Sequence, residues 1–367
     1  MDLDQEEEQS FLRVISALQQ YEMYQLQWLE GKRKMFDNLP RIDLQRLISK
    51  DSNVSAQDQI DAHLEKIQSC IHKNQMFLNT VTLPYDELFP EERRMNRDGP
   101  IAPAPAKITA FHSEMEKVKS TLRQISREWS EEGKQERDQS FAPILTELEK
   151  LFPRKNDRKR YKVLTPGCGL GRLSWEIANM GFVSQGNEFS FFMLVTSNAI
   201  LNLSKTVNQN TIYPFLHSFC NVKTGKNQIK KVQFPDVAPS LPAGSDFSMS
   251  AGDFLEIYTE PNTWDCIVTC FFLDTAHNII EYVKCINHIL QPGGYWINNG
   301  PLLYHWADMP GEESVEITLA QLYNVIDSFG LIVKHRKIKD CKYTGSYKGM
   351  MSLMYHAELF VVEKPLL

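Results

Sequence analysis

Eight residues, Thr165-Pro166-Gly167-Cys168-Gly169-Leu170-Gly171-Arg172, constrain this chain more than any other stretch. They lie between an apolar run, Val163-Leu164, and an amphipathic one that begins at Leu173, so they read as the turn from a strand into a helix. Glycines let the backbone turn tightly and approach a ligand with no Cβ in the way. The helix that follows presents the positive end of its dipole to whatever sits there.

The surroundings make this turn informative. From Tyr161 onward, short apolar runs alternate with amphipathic stretches, the pattern of a parallel sheet with crossover helices. Strands are predicted in YKVLTP, VSQGNE, DFSMSAGDF, WDCIVTCFFL and YWINNGPLLYHW; the fourth is nearly continuous in apolar residues, as in a strand buried on both faces. Helices are predicted in LSWEIANMG, ended by Gly181, in FFMLVTSNAILNL, in TAHNIIEYVKCINHIL, which includes His277, and in ITLAQLYNVIDSFG. PGG reads as a turn. Residues 353–362 read as a strand, an antiparallel edge pair with residues 331–338. The insertion between Leu203 and Phe247 is long for an α/β connection and reads as either a lid or a structural excursion.

Before Tyr161 the chain reads as helical. Phe11, Val14, Ile15, Leu18 and Tyr21 recur at helical spacing, with Trp28 extending the pattern, and Ile60, Leu64, Ile67 and Ile71 form a second stripe. Such stripes pack on the rest of a protein; a homodimer formed through them is the alternative. Residues 90–106, rich in Pro and charge, read as a linker. A helix is expected from Ile108 to about Glu132, with Met115, Val118, Leu122 and Ile125 on one face, and another from Ala142 to Phe152 with Pro143 in its first turn. The expected division is an N-terminal helical region over 1–107 and an α/β domain over 108–367.

Composition narrows the function. The formal net charge of -6 argues against a dominant nucleic-acid footprint. Seven scattered cysteines, none in a CxxC pair, read as reduced thiols, with no disulfide framework and no metal site. The acidic opening residues carry no apolar targeting core, and no apolar run is long enough to span a bilayer. The expected location is the cytosol, with nuclear entry left open, and no membrane or nucleic-acid partner is expected.

Three features at successive strand ends point to a nucleoside. After the glycine turn comes Glu188, at the end of the next strand, where a carboxylate suits two ribose hydroxyls. Then comes Gly252-Asp253-Phe254: an Asp can accept from an adenine amine, and a Phe can cover the ring. Singly, Glu188 could be a charge at a helix start and Asp253 an N-cap. A nicotinamide dinucleotide would ask for G-x-G-x-x-G, but here the motif is G-x-G-x-G, with Arg172 where the third glycine should fall. This spacing favours a nucleoside without pyrophosphate. It resembles the glycine motif of class I S-adenosylmethionine methyltransferases, which implies a Rossmann-like, seven-stranded, mostly parallel sheet with a reversed last strand.

Acceptor-facing residues are expected past the fourth and fifth strands. Asp274 follows an apolar strand and precedes a helix; an N-cap there is worth about 1 kcal/mol, whereas the ligand edge of this fold suits a carboxylate aimed at the acceptor. His305 ends Gly300-Pro301-Leu302-Leu303-Tyr304-His305, also at that edge. Tyr355, near the start of the last strand, could reach the same pocket, with His356 on the opposite face.

The runs PGCGLGRLSWEIA, GNEFSFFMLVTSN, FSMSAGDFLEIY, NTWDCIVTCFFLDTAHN and PGGYWINNGPLLYH, together with REWSEEG, resemble the carnosine N-methyltransferase family over roughly residues 108 to 362. The resemblance implies methyl transfer from S-adenosylmethionine to an imidazole nitrogen of carnosine (β-alanyl-histidine), giving anserine. It implies cofactor contacts at Gln124, Arg127, Gly167, Glu188, Asp253, Phe254 and Cys270, and acceptor contacts at Asp274, His305 and Tyr355. The chemistry suits these residue types. Methyl transfer is an in-line displacement dominated by positioning. Imidazole is nucleophilic at one nitrogen when the other carries the proton, and a carboxylate accepting that N–H fixes the tautomer; Asp274 takes that catalytic role. Two readings compete: a methyltransferase acting on protein histidine or another macromolecule, and a non-catalytic module that binds the cofactor.

Overall fold

The computed structural model describes residues 3–48, 53–88, 108–343, 345 and 348–366. The linker expected over 90–106 lies outside them.

Helices α1 (Leu3–Gln19), α2 (Tyr21–Asp37) and α3 (Ala56–Thr82) precede α4 (Ile108–Trp129). Their apolar faces meet in one core: Val14, Ile15, Leu18 and Tyr21 join Leu64, Ile67 and Ile71 and, from α4, Met115, Val118, Leu122 and Ile125. The Ser55 hydroxyl accepts Asp58 N–H at 3.1 Å and starts α3, worth about 1 kcal/mol. Helix α4 stops at Trp129, short of Glu132, because the Ser130 side chain accepts Gly133 N–H and opens a 3₁₀ turn. Helices α5 (Lys134–Ser140) and α6 (Ala142–Leu151) lead to the sheet.

Strand β1 (Lys162–Pro166) runs through the glycine turn into α7 (Arg172–Asn179), then β2 (Val183–Glu188) into α8 (Phe191–Asn198). Helix α8 is shorter than its apolar run, whose last residues, Ala199–Leu203, wind as a π-helix. The insertion holds two three-residue strands, β3 (Asn210–Ile212) and β4 (Val232–Phe234), paired antiparallel. Ile212, Val232 and Phe234 are buried in the core of the N-terminal helices. The insertion is therefore a structural excursion that carries those helices.

Next come β5 (Asp246–Ala251), β6 (Trp264–Cys270), α9 (Ile279–Ile289), β7 (Leu290–Gly300), α10 (Leu319–Ser328), β8 (Ile332–Lys342) and β9 (Met354–Glu363). The sheet order is β5-β2-β1-β6-β7-β9-β8. The first five strands are parallel, and β9 is antiparallel to both neighbours. This is the class I methyltransferase sheet, as expected. The antiparallel edge pair expected of residues 353–362 with 331–338 forms as β9 with β8: β9 lies between β7 and β8, so its apolar run is buried on both faces, and β8 carries the polar rim.

Two local expectations change. Pro292-Gly293-Gly294 lies within β7, with Gly293 at φ +80 and a register shift opposite Trp264/Cys266, so it is a bulge rather than a separate turn. His277 lies outside the helix: Asn278 caps α9 by accepting Ile280 N–H, and the His277 ring stacks on Trp306 at 4.0 Å.

Candidate active site

The glycine turn folds as its sequence requires. Gly167, Gly169 and Gly171 all have positive φ. A Cβ on Gly167 would fall 2.4 Å from the Phe272 ring, and one on Gly169 would fall 2.6 Å from Glu128 Oε1. The turn is thus a cradle closed on one side by side chains. Glu188 braces it: Oε2 accepts Gly169 N–H at 2.8 Å, and Oε1 accepts Phe189 and Ser190 N–H at 3.0 and 2.9 Å. Burial pushes the Glu188 carboxyl up to about 7, against those three N–H groups. It is both the charge at a helix start and a carboxylate with acceptor positions to spare.

A small cavity opens between this turn and the end of α4. Gln124, Arg127, Gly167 and Cys270 line it together. Arg127 is buried, and its Nε and Nη2 have no hydrogen-bond partner among the described residues; Glu136 Oε2 stands 3.6 Å from Nε. Its guanidinium lies over the rings of Phe141, Phe271 and Tyr343, 4.7 Å from the last. Burial raises the Cys270 thiol to about 12, so it is a neutral wall.

Among the wall residues not expected from the sequence are Glu128, Phe141, Phe271 and Tyr343. Glu128 sits beside Arg127 in a run already singled out. Phe271 holds φ +53, strained for a residue with a side chain, and stacks on Tyr343 at 4.9 Å. Nothing local in the sequence marks Tyr343.

Gly252 N–H donates to the Glu188 carbonyl, which sets the β5 end beside the β2 end. Asp253 Oδ1 accepts Leu255 N–H at 2.7 Å, so its capping role is real and leaves Oδ2 over. Phe254 follows directly. The residue is 3% exposed, and its ring packs edge-on against Phe272 and Tyr282, so it is part of the aromatic core beside the end of β5.

On the acceptor side, Asp274 is buried in a 3₁₀ turn and caps no α-helix. Its Oδ2 accepts Leu303 N–H at 2.8 Å. Burial holds its carboxyl above the usual range, with Leu303 N–H and His305 pulling the other way. His305 is exposed. Tyr355 is half-buried, its ring edge-on to Phe271 at 5.7 Å and to Tyr343 at 5.8 Å, while His356 points out to Asp340. Phe271 thus stands between the cavity under Arg127 and the region of Asp274, His305 and Tyr355. The insertion reaches this side too: the Asn221 carbonyl accepts Met350 N–H at 2.8 Å.

The site fits a cationic nucleoside cofactor. It offers a backbone cradle, an acid at the end of β2, and a buried guanidinium with two nitrogens left without a hydrogen bond, suited to a carboxylate.

A family model for carnosine N-methyltransferase matches residues 105–366. The chain is 42% identical over 369 residues to carnosine N-methyltransferase of Mus musculus, covering 99% of this chain and 88% of that one. It is 38% identical to that of Schizosaccharomyces pombe, covering 98% and 97%, and 38% identical to that of Dictyostelium discoideum, covering 95% and 75%. Identity of this extent runs through both the helical region and the sheet that builds the cradle, and on it the chain belongs to the carnosine N-methyltransferase family, S-adenosylmethionine-dependent N-methyltransferases.

Proposed function

We propose that this chain transfers the methyl group of S-adenosylmethionine to an imidazole nitrogen of carnosine, giving anserine, and accepts other small histidine peptides. The observation that carries the reading is the buried Asp274 carboxylate at the end of β6. Oδ2 is held by Leu303 N–H, and Oδ1 accepts no hydrogen bond from another residue among the described residues. An acceptor of one N–H, fixed in a half-closed aromatic site, suits a neutral imidazole. It holds the proton on the far nitrogen and stabilises the charge that develops on the ring.

The other roles follow. Gln124, Arg127, Gly167 and Cys270 surround the methionyl end of the cofactor, Glu188 takes the ribose hydroxyls, and Asp253 with the backbone at Phe254 takes the adenine edge. His305 and Tyr355 orient the dipeptide. Bound, the cofactor supplies an electrophilic methyl; the chain's own work is to align the ring nitrogen with it and exclude water. Residues 108–367 act as the catalytic domain and the preceding helices as its brace. The free cysteines support a reducing location, the cytosol or nucleus.

The test is incubation with methyl-labelled cofactor and a panel of histidine dipeptides, read by mass spectrometry, with the methylated nitrogen assigned by NMR. Label on the dipeptide ring is expected. Label found only on protein from a whole extract would replace the reading with a macromolecular one.

A further inference from the structure

The cavity beside the glycine turn is walled by two consecutive side chains of opposite charge, Arg127 and Glu128, at the end of α4. Glu128 is 2% exposed. Its carboxylate accepts Leu170 N–H and Arg172 N–H, each at 3.2 Å, and the Gln124 side-chain amide at 2.6 Å. All three donors are neutral. The first two lie at the N-terminal end of α7, the place where nucleotide-binding turns hold a phosphate. Here the protein has put its own carboxylate in that place, so the turn meets a ligand with negative charge.

That charge has no full partner. The Arg172 guanidinium is turned away to Glu176 and Asp236, and the carboxylate nearest to Arg127 Nε is Glu136. An ionised carboxylate offers about four acceptor positions, and the three bonds above leave room for one more. Burial works against the charge and pushes the Glu128 carboxyl upward, with Arg127 opposing. A cation arriving in the cavity would complete it.

We propose that Glu128 is the residue that recognises the α-ammonium group of the cofactor's methionyl end, with Arg127 taking the neighbouring carboxylate. Adjacent acid and base on one helix end match the zwitterion of an amino acid. The same carboxylate keeps pyrophosphate-bearing nucleotides out of the turn by like-charge repulsion. The proposal depends on the reading above, that this cavity takes the methionyl end.

The experiment is calorimetric titration of the full-length protein and of Glu128→Gln with three ligands. They are S-adenosylhomocysteine, its analogue with hydrogen in place of the ammonium, and 5'-methylthioadenosine, which lacks the whole amino acid. Wild type is expected to prefer S-adenosylhomocysteine over the deaminated analogue by roughly 10- to 100-fold, the range of a charged hydrogen bond. In Glu128→Gln that ratio is expected to collapse to about threefold or less, with binding of the deaminated analogue little changed. An equal ratio in both proteins overturns the proposal. If wild type binds 5'-methylthioadenosine as tightly as S-adenosylhomocysteine, the reading of the cavity itself fails, and the assignment of Glu128 with it. Should Glu128→Gln not fold, Glu128→Asp keeps the charge and draws it back by a methylene. It must weaken S-adenosylhomocysteine more than the deaminated analogue, and equal weakening overturns the proposal as well.

Discussion

The backbone carbonyl of Asp274 accepts the amide N–H of His305 at 2.9 Å, so the segments leaving β6 and β7 are tied at the point where each carries a candidate acceptor contact. The Asp274 side chain adds a second tie to Leu303 N–H. The Asp274 carboxylate and the backbone that carries His305 are thereby preset relative to each other before any substrate arrives, which is how positioning energy is stored in a rigid site.

Asp274→Asn keeps an oxygen for Leu303 N–H and so keeps the tie, but it removes the charge that faces the acceptor ring. Turnover is expected to fall by roughly 100-fold or more with the dissociation constant for S-adenosylhomocysteine unchanged. In wild type the working form is the carboxylate, and burial raises its pKa above 3.8. Activity is therefore lost as pH falls through that raised value, and in Asp274→Asn this contribution to the acid limb of kcat against pH should vanish, leaving only the limb from protonation of the acceptor imidazole. Near-normal kcat in the variant removes Asp274 from the mechanism.

Glu188 links pH to both stability and binding. Its folded pKa of about 7 lies above the ordinary 4.5. Between those values the folded protein holds a proton that the unfolded chain has released. The stability this contributes is complete below about 4.5 and is lost as pH rises through about 7. Relative to Glu188→Gln, the ligand-free protein should lose Tm as pH rises across that window. Cofactor binding should move the opposite way, because ribose hydroxyls bond an ionised acceptor more strongly. Parallel Tm curves for the two proteins would contradict this.

Gly167→Ala should lose cofactor binding by about tenfold or more and destabilise the fold by about 1–3 kcal/mol. The new Cβ, at φ +63, meets the Phe272 ring at 2.4 Å. That ring is itself stacked on Tyr282 at 4.6 Å and has little room to yield. Gly31→Ala is the control: it lies within α2 with nothing within 4 Å, and a stabilisation of about 0.5–1 kcal/mol is expected from helix propensity alone. Thermal melts and titration with S-adenosylhomocysteine separate the two outcomes.

What the sequence discloses follows from range. Strand β6 and the stripes of α1, α3 and α4 are legible because periodicity and burial are written in consecutive residues. The glycine turn, Glu188 and Asp274 are legible because they sit at fixed offsets from such strands. Strands β3 and β4 are not, since three residues cannot show an alternation. Glu128 and Tyr343 meet the cavity from elements far apart in the chain, and Phe254 turns inward because Phe272 and Tyr282 supply it with an aromatic core. Such facts belong to packing and have no local signature.

The most informative stability variant lies in the insertion. Asp236 Oδ1 accepts Arg172 Nη1–H at 2.6 Å, its Oδ2 pairs with Arg137, and its backbone N–H donates to the Trp129 carbonyl at 2.8 Å. Arg137 in turn donates to the Arg127 and Ser130 carbonyls, and Arg172 to the Glu128 carbonyl. One carboxylate thus holds two buried guanidinium groups that fix the end of α4, where Arg127 and Glu128 face the cavity. Removing Asp236 takes a carboxylate from both guanidinium groups, although Arg172 keeps Glu176, and the loss of one partner from such a buried ionic cluster costs up to about 3–5 kcal/mol. Asp236→Ala is expected to show that loss in urea unfolding, together with weaker binding of S-adenosylhomocysteine, although Asp236 is not among the residues lining the cavity. A loss below about 1 kcal/mol, the worth of an exposed pair, would mean that the end of α4 is held by apolar packing around Trp129 alone.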